Sequence, residues 1–165
     1  MDDRMTTDLG QRLKDIMAEE IFPRVKEMKA FVAANPPGAR PAFMADLKRM
    51  ARQEGLWNLG LPNLPDWAPG TRLSNAEFAP MAETLGWVDW AAEVFNCHAP
   101  DLPTMEMLVA IGTEAQKETW LKPMLEGQIC TGFSMTEPDT ASSDARNIAT
   151  RIEDKGDHWL VNGHK

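Results

Sequence analysis

Between Thr131 and Thr150 the chain reads TGFSMTEPDTASSDARNIAT, a run of short hydroxyl and carboxylate side chains with almost nothing apolar. Such a stretch is either a solvated connector or a cradle for a polar ligand. Glu137, Asp139 and Asp144 have the types of an acid-base or metal cluster, but acids in loops of this composition bond their own backbone, so they read as caps and ion-pair partners. Ser142 and Ser143 lack the strand-turn-helix elbow of the G-x-S-x-G type that exposes a hydrolytic nucleophile. Cys97 beside His98 has no further ligand at suitable spacing and reads as a buried thiol next to a helix-terminal imidazole. With no G-x-G-x-x-G and no phosphate-binding lysine loop, the usual nicotinamide and ATP sites are excluded. No residue is assigned a catalytic or a metal-binding role. The run does keep the capacity to hold an anion, since short hydroxyls and free backbone N–H groups form a nest that needs no local Lys or Arg.

The elements that must position this loop are helical on its N-terminal side. Leu9, Leu13, Ile16, Met17, Ile21, Val25, Met28 and Val32 recur at three- and four-residue steps and lay one apolar stripe along a helix. Pro23 falls inside the stripe and predicts a kink or a split, because it removes a backbone donor and crowds the preceding turn. A helix over 42–54 follows, with Phe43, Leu47, Met50 and Ala51 inward and Gly55 as its stop. The segment LWNLGLPNLPDWAPG reads as a packed irregular loop. Ser74 and Glu77 form a capping box flanked by Leu73 and Phe78 as a hydrophobic staple. Helical runs at 86–97 and 103–112, then a second capping box at Thr113 and Gln116, bring the total to about six helices.

After Gly127 strand formers take over. ICTGFSMT, the period-two set Ile148, Thr150 and Ile152, and HWLVNGHK all read as strands. The last runs into Asn162-Gly163, the strongest short hairpin signal, with the return strand expected beyond Lys165. The sequence therefore reads as the front part of a longer protein.

A chain of 165 residues suffices for one compact core. Its net charge of -8 argues against a phosphate-backbone footprint, so nucleic acid is not an expected partner. The N-terminus, MDDRMTTDLGQ, has no apolar leader core, and no stretch has the ~18 apolar residues of a membrane span. Cys97 and Cys130 are too few and too far apart for a disulfide framework. These features predict a soluble, cytoplasmic protein.

Helices first, strands second and a polar loop at the junction resemble the acyl-CoA dehydrogenase family. Three stretches carry the resemblance. TEAQKETWLKPMLEGQICTGFSMTEPDTASSDA is similar to the family's Gln-Lys helix, glycine turn and strand ending in Thr-Glu-Pro. GDHWLVNGHK resembles the hairpin ahead of the next flavin-contacting segment, and NCHAPDLPTMEML is similar to the subgroup with a Pro-Asp-x-Ala-Ser-Ser-Asp loop. The implied fold is α+β: an N-terminal all-α helical domain over residues 1–128, then the beginning of a middle antiparallel β-domain over 129–165.

The resemblance also implies an FAD site lined by Phe133 through Ser143. Main-chain groups around Met135 and Thr136 would meet the isoalloxazine ring, with the Thr136 hydroxyl as a further contact. Ser142 and Ser143 belong to the cofactor loop, Ser143 reaching the pyrophosphate and lying near bound substrate. The implied reaction is the α,β-dehydrogenation of an acyl-CoA thioester to a trans-2-enoyl-CoA in fatty-acid β-oxidation. Its glutamate base is expected in a C-terminal domain outside these residues, so the fragment alone is expected to be inactive. An electron-transfer flavoprotein and, at full length, a homo-oligomer are implied partners. Two alternatives stay open: a flavin monooxygenase of the same fold, and a cofactor-free helical interaction module. The loop departs from the commoner family pattern by one extra residue between Pro138 and Asp144. Ala141 and Ser142 also stand where Gly is more usual, which makes positive φ costly there.

Overall fold

The computed structural model describes residues 3–165, which fall into two compact units, one ending at Thr131 and the other spanning Gly132–Lys165. The first unit is helical. Helix α1 (Asp3–Ile16) runs through a wide π turn, Met17–Ile21, and a tight 3-10 turn, Phe22–Arg24, into α2 (Val25–Ala34). Pro23 thus splits the rod, and the change of hydrogen-bond step around it accommodates the missing amide. Leu9, Leu13, Met17, Ile21 and Met28 of the stripe are buried, but Val25 and Val32 are 38% and 60% exposed. The extra residue of the wide turn rotates every face beyond it, which sequence spacing alone does not register.

Helices α3 (Phe43–Gln53), α4 (Asn75–Leu85) and α5 (Ala91–Val94) close a core around Leu13, Met17, Leu47, Leu56, Met81 and Phe95. The Ser74–Glu77 capping box is formed, with Glu77 N donating to Ser74 Oγ and Ser74 N to the Glu77 carboxylate. The run expected over 86–97 contracts to α5. A second cluster joins Leu61, Leu64, Met105, Leu121, Met124 and Leu125. It draws on α6 (Asp101–Ile111) and on a final helical stretch made of α7 (Glu114–Gln116), a π turn at Lys117–Leu121 and α8 (Lys122–Leu125). Burial of each such side chain is worth about 1.5–3 kcal/mol. The loop over 56–70 is packed as its composition implies, with Leu56, Trp57, Leu59, Leu61 and Leu64 all buried.

A polar node joins the two clusters. Helix α8 ends in a Schellman turn at Gly127 (φ +60°), with Gly127 N donating to Met124 O and Gln128 N to Pro123 O. The carbonyls just before it are capped by side chains from distant segments. Trp57 Nε1 and Asn58 Nδ2 donate to Leu125 O at 2.8 and 3.0 Å, Asn96 Nδ2 donates to Met124 O at 3.0 Å, and Arg52 donates to Glu126 O. Asn96 Nδ2 also donates to Asn58 Oδ1 at 2.7 Å. Both asparagines are buried and both take positive φ, a region where Asn is tolerated far better than larger residues. Arg52 lies 3.6 Å above the Trp57 ring, and a Cβ at residue 127 would come within 2.9 Å of that ring, so only Gly fits.

The second unit contains one antiparallel hairpin, β1 (Arg151–Asp154) with β2 (Trp159–Asn162), in the register Ile152 opposite Val161 and Glu153 opposite Leu160. The turn is Lys155–His158, opened by Gly156 at φ +92° with its amide on Asp154 Oδ1. Three expectations are corrected here. ICTGFSMT forms no strand, because no segment among the described residues offers it a ladder. Of the period-two set only Ile152 lies in a strand, which begins at Arg151; ahead of Ile148 the chain forms a 3-10 turn at Ala145–Asn147, where the Asp144 side chain captures Arg146 N and competes with extension. Neither Asn162 nor Gly163 takes the positive φ of a hairpin turn. Gly163 instead lets the chain pass Thr150, where a Cβ would stand 2.7 Å from the Thr150 Cβ. No helix among the described residues is long and apolar enough to cross a membrane.

Replacing Asn96 by Ala strands the Asn58 Oδ1 acceptor and strains a φ of 55°. Denaturant unfolding should show a loss of about 2 kcal/mol or more, against under ~0.5 kcal/mol for exposed Asp139→Ala. Equal stability of the two variants would remove the node from the account.

Candidate functional site

The polar loop is organised around one carboxylate. Glu137 Oε2 accepts from Ala149 N at 2.7 Å and from Thr140 Oγ1 at 3.2 Å. Its Oε1 accepts from Thr150 N at 2.9 Å, Thr150 Oγ1 at 2.5 Å and Lys165 Nζ at 3.0 Å. The Glu137 amide donates to Ser142 Oγ at 2.6 Å, which fastens the middle of the loop to its start. Donation from Thr150 and from the Ala149 amide holds the Glu137 carboxyl well below the usual carboxylate range, against a smaller opposing effect of burial. The residue is only 5% exposed, yet the five donors on its two oxygens outweigh the cost of desolvation. Downstream, Asp144 accepts from Arg146 N at 3.1 Å and pairs with its guanidinium at 2.7 Å. Asp139 is exposed.

This arrangement sorts the residues singled out in the sequence. Phe133 is 78% exposed, and Met135 is half-buried with its carbonyl accepting from Lys165 Nζ at 2.9 Å. Thr136 and Ser143 are exposed, and their hydroxyls and amides make no hydrogen bond among the described residues. Ser142 is buried to 1%, its hydroxyl turned inward onto Glu137 N. Thr136 and Ser143 therefore present free donors, while Ser142 shapes the loop that carries them. Thr150 and Lys165 were not among the sequence candidates. Thr150 stood at a period-two position, where its hydroxyl looked like ordinary strand chemistry.

In the first unit, Cys97 is buried and its thiol is pushed up to about 12 by that burial, so it is no nucleophile at neutral pH. His98 Nε2 lies 3.2 Å from Asp101 Oδ2, and Asp101 Oδ1 accepts from Thr131 N and Thr131 Oγ1 at 2.5 and 2.7 Å. Those bonds tie the segment leaving α8 to the first residue of α6. Among the described residues no group of three or more His, Cys, Asp or Glu could hold a metal ion.

Residues 5–128 match the sequence profile of the acyl-CoA dehydrogenase N-terminal domain. The chain belongs to the acyl-CoA dehydrogenase family. Acyl-CoA dehydrogenase family member 10 of Mus musculus is 42% identical over 159 residues, covering 95% of this chain and 15% of the relative. Acyl-CoA dehydrogenase family member 11 of Homo sapiens is 42% identical over 158 residues, covering 93% and 20%. A solved structure from Mycobacterium abscessus, of a protein itself only inferred to be an acyl-CoA dehydrogenase, superposes with a TM-score of 0.82 at 39% identity. It covers 98% of this chain and 41% of that one. The chain thus spans between 15% and 41% of the length of these acyl-CoA dehydrogenase relatives. The mostly helical architecture with a small antiparallel sheet is that of the family's N-terminal region, as the α+β reading expected.

Because the folded Glu137 carboxyl titrates lower than a free one, its stabilisation is complete above the ordinary glutamate value of about 4.3 and is lost as pH falls toward the lower folded value. Hydrogen-exchange protection of the Ala149 and Thr150 amides should hold level from neutral pH down to about 5 and decline in stronger acid. In Glu137→Gln the protection should be weak throughout. Wild-type protection in that variant would refute the hub.

Proposed function

We propose that the chain is the N-terminal part of an FAD-dependent acyl-CoA dehydrogenase, with residues 1–128 as its helical domain and 129–165 as the beginning of its β-domain. The observation that carries this reading is the pair of unpartnered, exposed hydroxyls at Thr136 and Ser143 on a loop pinned from behind by Glu137. Alcohols and amides suit the pyrophosphate of a dinucleotide, since such donors bind it without needing a cation of their own. The donor set therefore fits FAD. When bound, FAD supplies the acceptor for the hydride that leaves the β-carbon of an acyl-CoA.

The tasks of this chain's own residues are binding and orientation. Main-chain groups of Met135 and Thr136 other than the Met135 carbonyl, which Lys165 holds, would meet the flavin ring, with the Thr136 hydroxyl as an added donor or acceptor. Ser143 would donate to a phosphate oxygen of the cofactor and would contact the acyl-CoA substrate. Ser142 and Glu137 keep the loop closed, so that these donors are aimed before the ligand arrives and little entropy is lost on binding. Phe133, 78% exposed, would add apolar surface for the ring. No residue here is assigned as the base that takes the proton next to the thioester. An acyl-CoA substrate, an electron-transfer flavoprotein as acceptor and a homo-oligomeric full-length protein complete the reading.

The full-length natural protein should purify with, or take up, flavin absorbing in the visible. Thr136→Ala and Ser143→Ala should each weaken FAD binding by about five- to tenfold, equivalent to about 1 kcal/mol per lost hydrogen bond. A protein that stays colourless after reconstitution with FAD would defeat the proposal.

A further inference from the structure

Lys165 bonds the loop but has no role in the flavin reading. Its ammonium lies 3.0 Å from Glu137 Oε1 and donates to the Met135 carbonyl at 2.9 Å, joining the end of the β2 segment to the stretch that leads into the polar loop. The Lys165 side chain is 26% exposed and that of Glu137 only 5%, so the pair is largely shielded from water. In such a place an ion pair held by further hydrogen bonds fixes geometry more than it adds stability. Gly163, two residues earlier, passes Thr150 too closely to admit a Cβ, and Thr150 itself donates twice to Glu137. The chain is thus delivered to this point by a close backbone approach, and the ammonium is aimed at a carbonyl that no strand ladder among the described residues satisfies.

We propose that Lys165 is a positioning residue for the flavin site, acting through Met135 and Glu137 without touching the ligand. By holding the Met135 carbonyl it sets the backbone path of Met135–Thr136, and by offsetting the Glu137 charge it keeps that carboxylate on the Ala149 and Thr150 amides. The consequence for the cofactor rests on the flavin reading above. The ordering of the segment does not.

The test uses the full-length natural protein with three substitutions. Lys165→Met should raise hydrogen exchange across 133–150 in the flavin-free form, weaken FAD binding by about tenfold and alter the visible circular dichroism of bound flavin. Lys165→Arg keeps the charge and has donors for both oxygens, so it should restore exchange protection, and FAD affinity to within about threefold. Lys155→Met, in the hairpin turn and paired with Glu153, should change none of these readouts. Unchanged exchange in Lys165→Met overturns the proposal, as does altered exchange with FAD affinity and spectrum intact. Wild-type protein that takes up no FAD defeats the flavin reading, and the positioning role with it. The exchange comparison then still decides whether Lys165 orders the segment.

Discussion

A shielded carboxylate that accepts from two backbone amides does the work of secondary structure in the second unit. The stretch from Gly132 to Thr150 has one short 3-10 turn and no strand, so its polar backbone groups need partners of another kind. Glu137 supplies them from one side chain, reaching the amides of Ala149 and Thr150 while its own amide rests on Ser142. Closing a loop in this way lets the neighbours of Glu137 and Ser142 stay unpaired and exposed. Thr136 follows Met135 directly into the hub, and Ser143 follows Ser142. The free hydroxyls are therefore consequences of where the bonded residues sit.

The helical unit meets the same problem with a different device. A helix end leaves carbonyls without intrahelical partners, and burying them unsatisfied costs about 1–3 kcal/mol each. At α8 the Schellman turn satisfies two, and Trp57, Asn58, Asn96 and Arg52 reach the carbonyls of Met124, Leu125 and Glu126. This network joins the loop over 56–70, which gives Leu56, Trp57 and Leu59 to the first apolar cluster and Leu61 and Leu64 to the second, with the segment after α5 and the last helix. The Asp101–Thr131 bonds then hold the chain as it leaves the unit. Apolar packing supplies most of the free energy here, and the polar node selects which helix end meets which loop.

Much of this was legible in the residues. The capping boxes at Ser74 and Thr113, the stop at Gly55 and the break at Pro23 are local signals, each decided within a few residues, and the structure forms them all. Strands were harder, because a strand is a pairing and not a property of one segment. ICTGFSMT has strand composition but no partner here, and Asn162-Gly163 has hairpin composition but owes its glycine to the close passage of Thr150. The Asn58–Asn96 bond links residues 38 apart, and Lys165–Met135 links residues 30 apart. No periodicity announces either. Of the loop acids, Glu137 and Asp144 do bond backbone amides, as their setting among Ser, Thr and Asp implied, but which of them would become the hub depended on where residues 149, 150 and 165 arrive.

The central claim is that Glu137 holds the loop in a shape that offers Thr136 and Ser143 to a dinucleotide. A crystal structure of the full-length protein with FAD tests it most directly. The account predicts a phosphate oxygen within hydrogen-bonding distance of Ser143, the ring against Met135–Thr136, and the Glu137 carboxylate still on the Ala149 and Thr150 amides. FAD bound elsewhere, with Ser143 facing solvent and Glu137 released from those amides, would contradict it.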